Sequence, residues 1–335
     1  MNADSGSHRW PESASATASV VIVSKDEPGL AGTLDRLAEQ VDAVPDEVLR
    51  SVEIIVVDAS AGRMQWVRDA HPNVRWVDFD QPDDRTTTIA HQRNIGVRTA
   101  CGDIVVFTDC GCVPDPRWLE EITRPIVRGE EQMTCGQTGA TGSSIPYSME
   151  RASARSPVYL AECPTINVAF RRDVYDRVGG FDESFTYGSD IDFSWRVVHA
   201  GFRIRFVPDA RVAHDWGGAP RQIRRSFAYG RGRGHLYRKH VFGTGEQSIR
   251  KRSLNVHDAV PLAYPLYLLG LPVVLRRRSY LLLLAVPLWR SRRQRPFWTL
   301  LEHFVLAAGV LAGTIEGTEL ERWIDKLHRQ LRVRT

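Results

Sequence analysis

Apolar residues recur along the first half of the chain in short unbroken runs, and each run is followed by a segment with helical spacing of its apolar positions. Unbroken β-rich runs are typical of strands that are buried on both faces of a parallel sheet. Alternation of such strands with helices predicts βαβ units and hence an α/β fold. We predict strands at 18–24, 52–57, 74–79 and 104–107, and helices at 30–40, 64–70, 88–100 and 118–124, the last ending before Pro125.

Three of the predicted strands end at a polar residue, namely Ser24, Asp58 and Asp109. In open α/β sheets ligands bind beyond the carboxyl ends of the strands, because helices cover both faces. For Asp109 the alternative is a strand that ends in a turn-forming aspartate. Because three such residues would meet at one edge of the sheet, the pattern favours a binding site.

The middle of the chain combines a predicted loop with a group of acidic residues. Residues 135–156 are rich in Gly, Ser and Thr, which predicts a loop. Asp190 opens a predicted helix and Asp192 lies in its first turn. Either carboxylate could cap the helix, but one cap leaves the second acid available for chemistry. A short strand at 204–208 follows, with His214 just after it.

Composition sets the broad class of the protein. The chain has 335 residues, 43% hydrophobic and 25% charged, which suits one large α/β domain with an appendage, or two domains. Five cysteines, with no C-x-x-C pair, favour neither a disulfide framework nor a zinc site, and a reducing cytoplasm fits best. Residues 1–17 read as a disordered tail and not as a signal peptide. Neither G-x-G-x-x-G after the first strand nor a P-loop is present.

The C-terminal part carries apolar segments between arginine clusters. Residues 259–275 are uncharged, Arg276–Arg278 follow, and the segments 280–289 and 297–315 flank a second cluster at 290–295. A helix over 259–275 would span about 25 Å against a hydrocarbon core of about 30 Å, and prolines interrupt it. The pattern favours helices lying in the interface of an anionic membrane over spanning helices. Packing on the rest of the chain or in a dimer is the alternative.

A series of short motifs, taken in order, resembles the family 2 glycosyltransferases, which are inverting enzymes of GT-A fold. The resemblance covers about residues 18–240. It implies a Rossmann-like, mostly parallel central sheet flanked by helices, here with a C-terminal helical appendage. We therefore expect a tail at 1–17, a GT-A domain at 18–240 and a helical, membrane-associated extension at 241–335. The motifs lie at 20–24, 54–58, 92–96, 103–109, 167–172, 179–183 and 188–196.

This resemblance implies a mechanism. A nucleotide-diphosphate sugar lies across the strand ends with a divalent cation, Mg²⁺ or Mn²⁺, on its pyrophosphate. An acceptor hydroxyl attacks the anomeric carbon from the opposite face while a carboxylate removes its proton. Carried over to this sequence, Asp190 would be the general base, Asp58 would contact the nucleobase and Asp109 the ribose or the metal. His214 would bind the metal or pyrophosphate, Ser24, Arg93 and Asn94 the donor, and Asn167, Arg171 and Asp192 the sugar or acceptor.

The sequence departs from the family pattern at three positions. Gly111 stands where the second acid of the Asp-x-Asp motif is expected, Ser189 replaces the Glu before the catalytic Asp, and Ala59 replaces a frequent second Asp. The loss at 111 puts dependence on a cation in question. Arg225 and Arg231 could neutralise the diphosphate instead, and the glycines between these arginines would favour approach of the backbone to an anion. An ordinary solvated basic face is the alternative.

The sequence thus predicts sugar transfer from a nucleotide-diphosphate donor to a hydroxyl of a cell-envelope, polysaccharide or lipid-linked acceptor. The reaction is expected at the cytoplasmic face of the cell membrane, with the protein bound peripherally to the anionic surface. One alternative is a catalytically impaired protein of the same fold that binds a nucleotide sugar or glycan or acts as a scaffold. A nucleotidyltransferase is disfavoured, because residues 24–30 form no Gly-rich, Lys-bearing loop. Nucleic acid is not an expected partner, since the basic clusters lack a known binding module.

Overall fold

The strands predicted from the apolar runs form one half of a single sheet. Parallel pairing orders these strands β3-β2-β1-β4. Ser24 lies opposite Asp58, and Asp58 lies opposite Asp78, so the strands end together. The carboxyl ends of the strands therefore form one edge. Their bounds are β1 (Ala16–Ser24), β2 (Leu49–Asp58), β3 (Arg75–Asp78) and β4 (Ile104–Thr108).

The structure is a computed structural model that describes residues 16–80, 88–141, 158–243, 248–249, 263, 267, 269–290 and 295–316. The chain divides into two units, Met1–Trp216 and Gly217–Thr335. The sheet lies entirely in the first unit. The domain boundaries predicted from the sequence stay predictions.

The other half of the sheet mixes strand directions. β8 runs antiparallel to β4 and to β6, and β6 runs parallel to β9. Thr108 pairs with Asn167, so β8 begins at the edge where β4 ends. The order continues β4-β8-β6-β9-β5, and β7 pairs with β9 outside this path. The bounds are β5 (Cys112–Pro114), β6 (Met133–Ala140), β7 (Tyr159–Leu160), β8 (Asn167–Arg171) and β9 (Ile204–His214).

Helices cover both faces of the sheet, which explains the unbroken apolar runs. Ile22 packs with Leu34 and Trp118 on one face, whereas its neighbour Val21 packs with Phe193 on the other. Alternate strand residues point to opposite faces, so both must be apolar. The predicted α/β fold with helices flanking a central sheet is confirmed. The helices of this unit are α1 (Leu30–Ala43), α2 (Gln65–Ala70), α3 (Ile89–Thr99), α4 (Trp118–Val127), α5 (Arg172–Val178) and α6 (Ser189–His199).

Several predicted element boundaries were wrong in this unit. The strand predicted at 204–208 continues to His214, which is its last residue. β1 begins at Ala16, so the last two residues of the predicted tail are strand residues, and the side chain of Thr17 donates to Asp103. Helix α4 continues through Pro125, which lies in the last turn, where one missing N–H costs a single hydrogen bond. Residues 1–15 lie outside the described part of the chain.

The predicted loop at 135–156 begins as a strand. β6 extends to Ala140 despite its glycines, because the backbone at Gly136 packs closely on its neighbours. A Cβ at this position would lie 2.1 Å from the carbonyl oxygen of Ala210. Glycine inside a strand often marks such a close approach. The remainder of the predicted loop, 142–157, lies outside the described residues.

The second unit is built on a closely packed pair of helices, α7 (Ala219–Leu236) and the C-terminal helix (Pro296–Ile315). A Cβ at Gly230 would lie 2.1 Å from the Leu306 carbonyl oxygen, and one at Gly313 would lie 2.1 Å from that of Arg231. Glycines spaced four residues apart let two helix backbones approach closely. Their predicted role in approach to an anion was therefore wrong. Gly234 and Gly309 lie at the same contact.

Shorter elements complete the described part of this unit. They are a π-helix (Tyr237–Val241), two 3₁₀-helices (Leu271–Leu275 and Arg278–Leu284) and a short helix (Ala285–Arg290). By length and composition alone, the C-terminal helix is the one described helix that could cross a membrane. A core helix of a soluble protein passes the same test. Most of the predicted segment 259–275, and residues 317–335, lie outside the described part.

Two glycine-to-alanine exchanges test the packing of the helix pair. Gly230→Ala should destabilise the protein by about 1–3 kcal/mol, because the added methyl group forces the two backbones apart. Gly32→Ala is the matched control, since helix α1 has open space at that position, and it should stabilise by up to about 1 kcal/mol. Urea unfolding of the full chain measures both, and equal effects would contradict the close contact.

Candidate active site

Three predicted site residues meet at the carboxyl edge of the sheet. Ser24 and Asp58 are direct partners in the parallel pairing of β1 and β2. Asp109 follows Thr108, the last residue of β4, and β4 is the neighbour of β1 on its other side. Asp58 is 3% exposed, and Asp109 is half-buried. The structure thus places these three residues at one edge of the sheet, as the sequence predicted.

Helix α3 connects this edge to the start of α6. The side-chain amide of Gln92 donates to the carbonyl oxygens of Ser24 and Val57, both at 3.1 Å, and so bridges β1 and β2. The next residue, Arg93, donates from Nη1 to the hydroxyl of Ser189 at 2.9 Å. Sequence reasoning missed Gln92, although it opens the Gln-Arg-Asn motif. This contact places the first turn of α6 at the same edge.

Asp190 and Asp192, both in the first turn of α6, have different surroundings. Asp190 is half-buried, and its Oδ1 accepts the backbone N–H of Ile191 at 2.9 Å. Asp192 is fully buried and accepts from Arg196, which in turn donates to the carbonyl oxygen of Gly180 at 2.6 Å. A buried carboxylate needs such a paired cation. The predicted substrate role of Asp192 was wrong, whereas Asp190 keeps a partly accessible carboxylate.

Two predicted ligand-binding amides hold the fold together instead. Asn167 is fully buried, accepts from the Trp118 indole at 2.8 Å and donates to the Gln137 and Ala210 carbonyl oxygens at 2.9 Å. Both of its amide hydrogens are used, and its full burial keeps a sugar from reaching the remaining lone pair of the oxygen. Asn94 accepts the Phe181 N–H at 2.9 Å and donates to its carbonyl oxygen at 2.8 Å, which fixes the turn before α6. Both predictions of ligand contact were wrong.

Arg171 lies at the opposite edge of the sheet. β8 is antiparallel to β4, and Arg171 pairs with Ile104, the first residue of β4, rather than with its last. Its guanidinium donates from Nε to Asp173 at 3.1 Å. The prediction that Arg171 lines the sugar or acceptor was therefore wrong, because the direction of β8 could not be inferred from the sequence.

The turn after β4 contains Gly111, which stands where the family pattern has an acid. Gly111 has φ +74°. A Cβ added at Gly29 would lie 2.9 Å from the Cα of Gly111, so the two backbones approach closely here. Cys112 pairs with His214, with 3.7 Å between the sulfur and Nδ1. Within the described residues, no group of three or more His, Cys, Asp or Glu side chains could hold a metal ion.

Cys110, beside Gly111, does not supply the missing ligand. Burial raises the pKa of its thiol far above the ordinary value, and the thiol donates to the carbonyl oxygen of Val23 at 3.2 Å. A neutral thiol is a poor nucleophile, and soft sulfur does not suit Mg²⁺ or Mn²⁺. Cys110 therefore packs the turn.

The two predicted donor-binding arginines lie on α7 in the second unit. Arg231 forms an ion pair with Glu316 of the same unit, with 2.6 Å between Nη2 and Oε1. This contact ties the end of the C-terminal helix to α7. Roles of Arg225 and Arg231 in binding a diphosphate stay predictions.

Exchange of each acid of α6 for its amide should separate their roles. Asp192→Asn removes the charge that pairs with buried Arg196 and should destabilise the protein by about 3–5 kcal/mol. Asp190→Asn should change stability by no more than about 0.5 kcal/mol, because in the described part of the chain its carboxylate accepts no hydrogen bond from another element. Urea unfolding monitored by circular dichroism checks both, and a stable Asp192→Asn variant would refute the structural role.

Comparison with known proteins identifies related sequences. Residues 19–181 match the family described as "Glycosyl transferase family 2", and residues 148–312 match "Glycosyl transferase family group 2". The pre-mycofactocin glycosyltransferase of Mycobacterium tuberculosis is 30% identical over 141 residues, covering 38% of this chain and 30% of that protein. Glycosyltransferase AglE of Haloferax volcanii is 25% identical over 147 residues, covering 42% and 48%. The chain thus matches less than half the length of these relatives.

A solved structure shows the same fold. The mannosyltransferase PcManGT from Pyrobaculum calidifontis, in complex with GDP-Man and Mn²⁺, superposes with a TM-score of 0.64 and 19% sequence identity. The superposition covers 91% of this chain and 89% of that one. The family predicted from the motifs is confirmed, and the chain belongs to the family 2 glycosyltransferases, with a GT-A fold.

Proposed function

We propose that the protein transfers a sugar from a nucleotide-diphosphate donor to a hydroxyl group, with inversion at the anomeric carbon. The observation that carries this proposal is the convergence of Ser24, Asp58, Asp109 and Asp190 at the carboxyl edge of one sheet. Such an edge is where open α/β sheets bind nucleotides. The residues come from distant parts of the chain, which a purely structural role does not require.

Asp190 is the proposed general base. Its half-buried carboxylate stands in the first turn of α6, next to Ser189, which accepts from Arg93 at the carboxyl edge of the sheet. The carboxylate takes the proton of the acceptor hydroxyl as the hydroxyl oxygen bonds to the anomeric carbon. The bond from that carbon to the diphosphate breaks on the opposite face, which inverts the configuration.

Arg93 is the proposed partner of the donor's negative charge. It is 6% exposed, its Nη1 donates to Ser189, and within the described residues it forms no ion pair with a carboxylate. Its Nε likewise has no hydrogen-bond partner in that part of the chain. Burying an unpaired charge is costly, so an anionic ligand nearby would be bound favourably. Ser189, where relatives are expected to carry Glu, leaves this cation uncompensated.

A divalent cation is not assigned a step in this proposal. The mannosyltransferase of the same fold was solved with Mn²⁺. Among the described residues no cluster of three or more His, Cys, Asp or Glu side chains is present, and Gly111 stands where the acid is expected. Charge neutralisation is therefore assigned to Arg93.

We also propose an acceptor at the cytoplasmic face of the cell membrane, either lipid-linked or part of the cell envelope. The second unit exposes large apolar side chains, with Leu275 90%, Leu282 72% and Trp289 67% exposed. Arg276, Arg277 and Arg278 are exposed beside them, and no carboxylate in the described residues pairs with them. Apolar side chains next to unpaired arginines suit an anionic lipid surface.

Loss of the base should abolish turnover without loss of binding. Asp190→Asn should lower kcat by about 10²–10⁴-fold, because the amide cannot accept the hydroxyl proton. Release of nucleoside diphosphate from a panel of nucleotide sugars measures this, and calorimetry with the nucleotide checks binding. Asp176→Asn, an exposed acid on α5, is the control and should behave as wild type.

Two outcomes contradict the catalytic proposal. Undiminished turnover by Asp190→Asn removes this residue from the role of base. A wild-type protein that binds nucleotide sugars but turns over none of them would support the alternative of a binding or scaffold protein.

The proposed lipid surface is tested by flotation with vesicles. The chain should float with vesicles containing phosphatidylglycerol and much less with pure phosphatidylcholine, since arginines near the surface each contribute about 1 kcal/mol. The double exchange Leu282→Ser and Leu283→Ser should reduce flotation severalfold. Trp66→Ser removes an equally exposed apolar side chain from the first unit and serves as control. Equal flotation of all variants, or none with any vesicle, would contradict membrane binding.

A further inference from the structure

A pocket of about 210 Å³ opens on the first unit, between the end of α4 and an irregular stretch of β9. Its floor is formed by the buried residues Pro125, Phe206 and Val207. Charged side chains form its rim. We call it the bulge pocket, because a β-bulge in β9 builds one of its sides. None of the site residues predicted from the sequence lines it.

The bulge forms where Pro208 interrupts the pairing of β9 with β6. Gly136 pairs with Val207, but its neighbour on β6 pairs with Arg211, so β9 carries three more residues than β6 at this point. Proline has no N–H to donate to a ladder and is confined to edges and bulges. Bulges re-aim side chains and are over-represented next to binding sites. Here the bulge leaves Pro208 and Asp209 exposed at the rim of the pocket.

Hydrogen bonds on both sides hold the bulge in one shape. On the inner side, the fully buried amide of Asn167 donates to the Ala210 carbonyl oxygen at 2.9 Å. On the outer side, Arg211 donates from Nε to the Pro208 carbonyl oxygen at 3.1 Å, and its Nη2 lies 3.5 Å from Asp209 Oδ1. Asp209 is thus held at the rim before any ligand arrives, and such preorganisation lowers the cost of binding.

The opposite side of the rim is a series of ion pairs. Glu130 accepts from Arg205 at 3.3 Å and lies 4.0 Å from Arg128. On the last turns of α4, Arg124 Nη1 lies 3.5 Å from Glu121 Oε2. The side chains of the first three residues are 37–63% exposed, and such pairs contribute little to stability. Their arrangement around an apolar floor therefore suits recognition of a ligand better than stabilisation of the fold.

The chemistry of the rim favours an uncharged ligand that is rich in hydroxyl groups. Among the described residues that line the pocket, three arginines face three acids, so their formal charges cancel. A guanidinium only donates hydrogen bonds and a carboxylate only accepts them, whereas a hydroxyl does both and can bridge the two. A sugar presents several hydroxyls around a ring whose C–H groups can pack on the apolar floor.

The size of the pocket points in the same direction. Its volume of about 210 Å³ is below the roughly 300 Å³ at which pockets for drug-sized ligands begin. One sugar ring is therefore a better match than an extended peptide.

The bulge pocket is separate from the proposed catalytic edge. The far end of β9 lies beside the turn after β4, since His214 pairs with Cys112 and with Ala140 of β6. Gly136, which pairs with Val207 in the pocket floor, precedes Ala140 by four residues, or about 13 Å of strand. A ligand in the bulge pocket therefore occupies a second site of the first unit.

We propose that the bulge pocket binds one neutral sugar unit, either a free monosaccharide or one unit of a glycan chain. Asp209 and Glu130 accept hydrogen bonds from its hydroxyls, Arg128 and Arg205 donate to them, and the apolar floor packs against the ring. This inference goes beyond the proposed sugar transfer, because the bulge pocket takes neither the nucleotide donor nor the reacting hydroxyl.

Binding of sugars to the full chain, without any donor, tests the proposal. Methyl glycosides of glucose, galactose, mannose and N-acetylglucosamine probe a single unit, and linear oligosaccharides of the same sugars probe a chain. Saturation-transfer difference NMR should detect at least one of them, with a Kd on the order of 1 mM. An oligosaccharide that binds at least ten-fold more tightly than its own unit identifies a glycan chain as the ligand, and equal affinity identifies the single sugar.

A double variant locates the bound sugar. Arg128→Met with Asp209→Asn removes one group from each side of the rim and should weaken binding about ten-fold, the value of one to two hydrogen bonds. Both side chains are more than 60% exposed, so thermal unfolding should not change. Arg36→Met, which breaks an exposed ion pair with Glu39 on α1, is the matched control and should bind as wild type.

Three outcomes overturn the proposal. If no sugar of the panel binds, or if glucosamine or glucose 6-phosphate binds more tightly than the neutral sugars, the ligand class is wrong. If the double variant binds as wild type does, the location is wrong. Asp190→Asn should bind sugars unchanged, and if it alone loses binding, the sugar lies at the proposed catalytic edge and not in the bulge pocket. That last result would leave the proposed sugar transfer standing.

Discussion

Parallel pairing of β1 with β2 and β4 is the constraint on which the rest of the structure depends. It makes three strands end together, so residues far apart in sequence become neighbours without any contact between their side chains. The helices on both faces then leave the strand ends as the open edge. Gln92 reinforces this arrangement, because its amide spans the last carbonyl groups of two strands. The site is therefore a product of backbone hydrogen bonding before any side chain contributes.

The sequence predicted this half of the fold well for a physical reason. Strands buried on both faces must be apolar at every position, so an unbroken apolar run such as the one around Val56 identifies the strand from sequence alone. A polar residue then marks the point where burial ends. In the other half of the sheet, the direction of each strand determines at which edge its polar residues lie. Arg171 was misplaced because its strand runs opposite to β4, and nothing in its local sequence reports direction.

Polar residues inside motifs were the second source of error. Asn167 and Asp192 have the chemistry of ligand-binding groups, yet both are fully buried and bonded to the protein itself. The sequence shows what a side chain is able to bind, but it does not show which group of the folded protein lies next to that side chain. The glycines of α7 pose the same problem, since their partner helix begins far along the chain, at Pro296. Contacts with residues far along the chain thus determine whether such a polar residue or glycine has a structural role, and local sequence patterns do not reveal these contacts.

The turn at Gly111 has room for a side chain. Nothing lies within 4 Å of a Cβ placed there, and its left-handed backbone is one that aspartate tolerates better than most residues. An acid at this position would meet no steric barrier among the described residues, so packing does not demand glycine there. In the proposed mechanism, a Gly111→Asp exchange would therefore add a carboxylate to the edge where Arg93 is assigned the charge of the leaving group.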